Sequence, residues 1–331
     1  MRKCILVTGG AGFIGHHIVS FLLNKSFHVI VIDNLSTGNI NNLDVSNPNL
    51  EFHQNDICNE EIAHKLIIKS DLVIHLAAVV GLKNVISNPL LTLEVNIQST
   101  KLIASECAKL KVPLLFFSSS AVYSCDKDIN RYSEMAVVHN FGLNNFSLYA
   151  ETKIIGETIC EAFRRSHGLK YLILRPFNLI GSGQSSNYGM VVPNFIKRIL
   201  ANKPIKIFGN GAQARTFSDI NEAIELMWQL VENMKCYDQI FNLATNSESI
   251  SILELADTIC RIANVNVKYE FIPYEKIYGQ NFIDSNDRKP SLIKLQNYIR
   301  LSNAASLEST IKKIYKHEKR AYLTRTQANV I

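Results

Sequence analysis

The chain has 331 residues, 47% apolar and 19% charged, a globular composition with material for one large α/β unit or a main domain with a smaller annex. No apolar run reaches the roughly 18 residues of a membrane span, and seven scattered cysteines without C-x-x-C spacing argue against a disulfide framework and a zinc site. The net charge of +6 does not point to nucleic acid: ten Lys/Arg and two Asp/Glu fall from Arg288 onward, so the preceding residues sum to −2.

The N-terminal MRKCILVTGG has an apolar run of about four residues, short of the roughly 7–15 of a signal h-region, so it reads as a first strand in a cytoplasmic protein. CILVT (4–8) precedes a helical pattern near 13–24, then HVIVID (28–33) and LEFHQND (50–56). A helix near 60–69, DLVIHLAA (71–78), a helix near 91–110 and PLLFFSSS (113–120) follow. A helix at about 149–166 and YLILRP (171–176) continue the alternation. Near-continuous apolar strands at this spacing imply a parallel sheet covered on both faces, and right-handed crossovers make it a doubly wound, Rossmann-type α/β fold.

Beyond residue 180 the rhythm changes. Gly- and Asn-rich turns (181–189 and 209–213) separate shorter elements, with helices near 190–201, 219–233 and 251–263. This predicts a nucleotide-binding domain over 1–180, with a returning segment near 214–245, and a smaller mixed α/β substrate-binding region over most of 181–331. The basic stretch KKIYKHEKR (312–320) reads as the solvated face of a terminal helix, with no aromatic stacking platform for nucleic acid among its charges.

VTGGAGFIG (7–15) holds Gly10-x-Gly12-x-x-Gly15 and, overlapping it, Gly9-x-x-Gly12-x-x-Gly15. The loop follows a strand and opens a helix. There glycines let the backbone approach a pyrophosphate, and the helix N-terminus offers free N–H groups. Asp33 ends the second strand 18 residues after Gly15, placed to accept bonds from the adenosine ribose hydroxyls. The following NLSTG carries no Lys or Arg to meet a 2′-phosphate, so NAD is preferred to NADP. Asp56 could bond the adenine amino group or cap a helix, and the residues alone leave these alternatives equal.

SLYAETKIIGE (147–157) puts Tyr149 and Lys153 at i and i+4, on one helix face. A tyrosine that works as a base near neutrality must drop about three pH units from its ordinary value near 10, about 4 kcal/mol of electrostatic help. A buried ammonium and a positive nicotinamide are suited to supply it. The serine row of FFSSSAVYS (116–124) ends the preceding strand and offers hydroxyls beside that pair.

TGGAGFIG, Asp33, DNLSTG (33–38), HLAA (75–78), the serine row, YAETK, RPFN (175–178) and GNGAQARTFSDI (209–220) together resemble the extended short-chain dehydrogenase/reductase superfamily. Within it the chain is similar to NAD-dependent nucleotide-sugar epimerases and dehydratases, especially UDP-glucose 4-epimerase-like members, from about residue 2 to about 300. The resemblance implies a catalytic trio of Ser119, Tyr149 and Lys153, with Ser119 found by counting three residues back from Val122. It implies NAD contacts from Gly9, Gly12, Phe13, Ile14, Gly15, Asp33, Asn34, Asp56, Ile57, Leu76, Ala77, Ala78, Asn96 and Pro176, besides Tyr149 and Lys153. It also implies that Asn178, Arg215 and Arg288 contact a UDP-sugar, the guanidinium forks suiting a diphosphate. A homodimer through the helices near 91–110 and 149–166, and a place in polysaccharide biosynthesis, are implied in the same way.

Three departures blur the substrate. Ser124 stands where the family has a glycine, Ser291 where relatives often carry aspartate, and the stretch between Glu134 and Tyr149 lacks the usual prolines. In the family, 4,6-dehydratases carry an Asp-Glu pair directly after the catalytic hydroxyl, and UDP-glucuronate decarboxylases a Glu at the second of these positions. Here they are Ser120 and Ala121. With no acid there, 4-epimerisation is the reaction expected; a decarboxylase or dehydratase recruiting an acid from elsewhere, or a non-catalytic NAD-binding scaffold, are the alternatives.

Overall fold

The computed structural model describes residues 3–123, 131–136, 147–187, 189–246, 248–278, 287–301 and 305–328. Ser124 and most of the proline-free stretch before Tyr149 lie outside the described residues.

The first half runs β1 (Cys4–Thr8), α1 (Phe13–Asn24), β2 (His28–Asp33), β3 (Leu50–Gln54), α2 (Glu60–Ile67), β4 (Leu72–His75), α3 (Leu82–Ser87), α4 (Pro89–Leu93), α5 (Ser99–Leu110), β5 (Leu114–Phe117), α6 (Leu148–His167) and β6 (Tyr171–Pro176). The second half adds β7 (Leu179–Ile180), α7 (Val191–Leu200), β8 (Ile205–Phe208), β9 (Ala214–Arg215), β10 (Ser218–Asp219), α8 (Ile220–Glu232), β11 (Gln239–Leu243), β12 (Ile250–Ser251), α9 (Ile252–Ala263), β13 (Tyr269–Ile272), α10 (Tyr274–Tyr278), β14 (Asp287–Arg288), α11 (Ile293–Tyr298) and α12 (Leu307–Ala328).

Seven parallel strands form the main sheet in the order β11-β6-β5-β4-β1-β2-β3, the doubly wound architecture expected. The pleat sorts each strand's apolar residues between two cores. Val7, Val31, Ile74, Leu115 and Leu174 face α1 and α8, packing on Ile18, Leu22, Ile220 and Met227. Leu6, Ile30, Val73, Phe116 and Ile173 face the opposite side, against Leu66, Ile103, Cys107 and Cys160 of α2, α5 and α6. Each such side chain stabilises the fold by about 1.5–3 kcal/mol on burial, so β1, β2, β4, β5 and β6 are held from both sides. A third core, with Val192, Ile196, Ile207, Leu255, Ile259, Ile311 and Ile314, holds α7, α9 and α12 around β8.

β1 pairs with β2 on one side and β4 on the other, so chain order reverses there. A crevice opens at such a switch point, outside the carboxyl ends of the strands. The strands stop where the sequence pattern runs on: residues 76–78 and 118–120 leave the sheet at that edge, because the connections diverge and end the ladder.

The helix read as continuous over 91–110 differs. α4 and α5 are joined by a π-helical turn, Glu94–Gln98. Within it Asn96 Oδ1 accepts from the Val79 amide (2.7 Å), and Nδ2 donates to the Val79 carbonyl (3.2 Å) and Thr152 Oγ1 (3.0 Å). These bonds offset the poorer helical hydrogen bonding of such a turn, which apolar spacing does not reveal.

Candidate active site

The glycine loop leaves the end of β1 and is locked to the loop after β4. Thr8 Oγ1 accepts from the amides of Leu76 and Ala77, each at 3.1 Å, and bonds His75 Nδ1 at 2.8 Å. Gly9 has φ of +70°, and a Cβ there would stand 2.9 Å from the Ala77 nitrogen. A Cβ on Gly15 would stand 2.2 Å from the Gly9 carbonyl oxygen. The loop therefore presents bare backbone at the start of α1, whose first turn carries Phe13 and Ile14.

Buried Asp33 closes the other side. Its Oδ2 accepts from the Ala11 amide (2.9 Å) and its Oδ1 from the Leu35 amide (2.8 Å), leaving each oxygen a further lone pair. Asp56 accepts from the Cys58 amide (2.8 Å) and, at 3.4 Å, from Asn34 Nδ2, beside buried Ile57. The N-cap of α2 is Asn59, whose side chain accepts from the Ile62 amide, so Asp56 does not cap that helix.

His75 is buried beneath this crevice, and burial pushes its pKa from near 6.5 down to about 3. The unfolded chain then binds a proton the folded one refuses, so stability is lost as pH falls from about 6.5 toward 3. Between pH 7 and 5 the loss from this group is about 2 kcal/mol. Urea unfolding at the two pH values is expected to show a smaller loss for His75→Gln than for the unaltered chain.

At the end of β5, Ser119 opens a 3₁₀ turn over Ser120–Val122, its Oγ accepting from the Ala121 amide at 3.1 Å. Burial of its hydroxyl pushes Tyr149 up to about 12, and the Ser119 side chain beside it eases it back toward ionisation. Lys153 follows one turn along α6. Its ammonium donates to the Phe117 carbonyl (2.8 Å) and lies 5.9 Å from the Tyr149 ring centroid. Burial lowers Lys153 to about 8, and Glu157 opposes that fall. Serine, tyrosine and lysine thus converge at the carboxyl edge of the sheet, on the side of the loop that starts with Leu76, Ala77 and Ala78.

Pro176 ends β6 and leads to Asn178, which adopts a left-handed φ of +36° and donates from Nδ2 to the Thr216 carbonyl at 2.7 Å. Arg215 and Arg288 are register partners on the parallel strands β9 and β14. Residues 73 apart in the chain thereby become neighbours across a strand pair.

Sequence reasoning missed a buried network behind the trio. Glu157 accepts from Arg175 Nε (2.8 Å) and Nη2 (2.6 Å) and from Ser118 Oγ (2.5 Å). The Arg175 guanidinium lies 4.9 Å from the Tyr123 ring centroid. Tyr123 donates its hydroxyl to Asn242 Oδ1 at 2.6 Å, and Asn242 Nδ2 donates to the carbonyls of Tyr132 (2.8 Å) and Ser291 (3.1 Å). Burial pushes Tyr123 up to about 12, so this hydroxyl is a structural donor. The spacing Tyr149, Lys153, Glu157 was the available signal, since three residues at intervals of four share a helix face.

A family model for NAD-dependent epimerases and dehydratases matches residues 5–244. The chain belongs to the NAD-dependent epimerase/dehydratase family. It is 28% identical over 319 residues to a UDP-N-acetyl-alpha-D-glucosaminuronate decarboxylase of Bacillus cytotoxicus, covering 94% of this chain and 96% of the other. The solved UDP-glucose 4-epimerase of Thermotoga maritima, with UDP-glucose, is 26% identical with TM-score 0.87, over 96% of this chain and 99% of that one. The UDP-glucuronic acid 4-epimerase of Bacillus cereus, solved with UDP-glucuronic acid and NAD, is 28% identical with TM-score 0.86, over 97% and 100%.

NAD is the cofactor of this family, and the residues present fit it. At Gly9 and Gly15 backbone packs on backbone with no room for a Cβ, so the loop turns tightly into the N-terminus of α1, whose free amides suit a pyrophosphate. The Asp33 carboxylate faces the same loop, and no Lys or Arg follows it through residue 38. No described helix is long and apolar enough to cross a membrane.

Proposed function

We propose that this protein interconverts a UDP-sugar and its C4 epimer through a transient 4-keto sugar. The observation that carries this reading is the Ser119–Tyr149–Lys153 cluster beside a turn in which Ser120 and Ala121 replace any acid. Elimination or decarboxylation calls for a proton carrier at that turn, whereas epimerisation moves one proton to and from the 4-hydroxyl oxygen and one hydride to and from C4. Among the described residues, two nearby carboxylates are otherwise engaged: Glu157 by Arg175 and Ser118, and Glu134 by the Asn242 amide at 2.8 Å.

In this reading Tyr149, as phenolate, takes the proton of the sugar 4-hydroxyl while Ser119 shares that hydrogen bond. Lys153 holds the negative charge on the phenolate oxygen. NAD, when bound, would supply a reversible acceptor for the hydride from C4. Arg215 and Arg288 hold the diphosphate, Asn178 lies against the nucleotide-sugar, and the keto sugar turns to present its other face before reduction. Phe13, Ile14, Asn34, Asp56, Ile57, Asn96 and Pro176 complete the cofactor's surroundings.

The assignment extends to organisation. Residues 1–180 with the segment near 214–245 form the nucleotide-binding domain, and most of 181–331 binds the sugar nucleotide in a cytoplasmic enzyme. Two copies pair through the helices of 91–110 and 149–166. Leu90, Leu91 and Leu93, which are 73%, 48% and 37% exposed on and beside that surface, support this pairing.

Purified protein given UDP-glucose, UDP-GlcNAc and UDP-glucuronate in turn is expected to equilibrate at least one with its 4-epimer, without loss of carbon. Likeness to the decarboxylase relative gives a second reading a definite form. Release of CO₂ from the uronate, or a 6-deoxy-4-keto product, would overturn the epimerase assignment.

A further inference from the structure

Glu157 lies one turn beyond Lys153 on α6 and is 8% exposed. Its carboxylate is bound by Arg175 through two nitrogens and by the Ser118 hydroxyl. Ser118 sits between Phe117, whose carbonyl accepts from the Lys153 ammonium, and Ser119, whose side chain eases Tyr149 toward ionisation. One carboxylate therefore grips the strand end that places both of the other partners.

Its charge matters as much as its grip. The groups that face Lys153 are Tyr149, Glu157 and Cys160 on its own helix, His75 from β4, and the Phe117 carbonyl and Phe116 ring from β5. Burial holds the Cys160 thiol protonated, as it does its neighbour Cys107 on α5, and keeps His75 neutral near pH 7. Among these described groups, Glu157 alone brings a carboxylate. Arg175 neutralises part of it, and the remainder favours the ammonium form of Lys153.

We propose that Glu157 is a positioning residue that sets the working protonation of the Tyr149–Lys153 pair, and that the buried Glu157–Arg175 bridge serves this purpose rather than stability. Buried ion pairs are weak stabilisers, because desolvating both charges offsets most of their attraction. A pair kept beside a titrating lysine has a use that an apolar pair of equal volume would lack. This inference rests on the reading of Tyr149 and Lys153 as the proton-transfer pair.

The test is the pH profile of kcat for Glu157→Gln, which keeps an acceptor for Ser118 and Arg175 but deletes the charge. Without that charge, phenolate forms more easily on Tyr149 and ammonium is lost more easily from Lys153. Both the acid and the alkaline limb are expected to move to lower pH, by about one unit. Glu157→Asp, which retains the charge, is expected to keep both limbs where they are in the unaltered enzyme, whatever its kcat. A Glu157→Gln profile with unmoved limbs and a uniformly lower kcat shows a structural role only and overturns the proposal. If that variant does not fold, Glu157→Leu combined with Arg175→Met removes the pair without stranding the guanidinium, and a smaller displacement in the same direction is expected. If the unaltered protein turns over no UDP-sugar, the reaction assignment fails separately. NAD⁺ affinity measured by calorimetry from pH 6 to 10 then reads the lysine directly: a downward shift of its alkaline limb in Glu157→Gln supports the proposal, and an unmoved limb overturns it.

Discussion

Tyr149→Phe is expected to lower turnover by about 10²–10⁴-fold, a loss of about 3–5 kcal/mol, with NAD and UDP affinities unchanged. The substitution keeps the ring beside Lys153 and removes only the hydroxyl that Ser119 engages. The hydroxyl alone stands near 12, so bringing it into use near neutrality requires about 7 kcal/mol of stabilisation for the phenolate. That demand exceeds what an unburied tyrosine would make, because the site that excludes water also penalises the anion. A single ammonium in a low-dielectric site can supply several kcal/mol, and the positive nicotinamide of bound NAD⁺ adds to it. The measurement is a paired one: initial rates by product separation, and NAD and UDP binding by calorimetry. Turnover within tenfold of the unaltered enzyme would remove Tyr149 from the role of base. Weakened binding of both ligands would instead assign it to the scaffold.

The parts of this molecule that were legible in the sequence are those written in short spacings. A strand, a glycine turn and a helix follow one another within residues 4–24, so the loop and Asp33 could be located without coordinates. Tyr149 and Lys153 are one helical turn apart, and their shared face follows from helix geometry alone. Six of the sheet's seven strands were legible for the same reason, as near-continuous apolar runs at regular intervals, while β11 was not read. Legibility failed where a contact joins distant elements. The neighbouring of Arg215 and Arg288 depends on which short strands pair in the second half, and two-residue strands carry no periodicity. Asn242 lies inside the apolar run QIFNLA (239–244), yet its amide joins Tyr123, Tyr132 and Ser291 from three separate segments. Glu157 stood in plain view in the helix motif, but its partners Arg175 and Ser118 come from two neighbouring strands' ends. A buried carboxylate is understood only when both partners are known, because burial without them would cost more than the fold can spare.

Gly15→Ala is expected to weaken NAD binding by at least about tenfold and to destabilise the fold by about 1–3 kcal/mol. The added Cβ would stand 2.2 Å from the Gly9 carbonyl oxygen and 2.7 Å from the Gly10 Cα. Both obstacles are backbone, so no side-chain rotation relieves them, and the turn from β1 into α1 must open. Opening it is constrained from the other side, where Gly9 meets the Ala77 backbone and Thr8 fastens Leu76 and Ala77. The strain therefore falls on the amides that would face the pyrophosphate. Gly168→Ala provides the comparison, since Gly168 ends α6 with φ of +70° but an added Cβ there meets nothing within 4 Å. That variant should lose about 1 kcal/mol from backbone strain and bind NAD normally. Thermal unfolding and NAD titration of the two variants separate the effects. If Gly15→Ala loses stability yet retains full NAD affinity, the loop is a tight structural turn and the pyrophosphate lies elsewhere. If affinity falls in Gly15→Ala alone, the close packing of Gly9, Gly10 and Gly15 serves the cofactor, and the bare backbone at the start of α1 is the surface it binds.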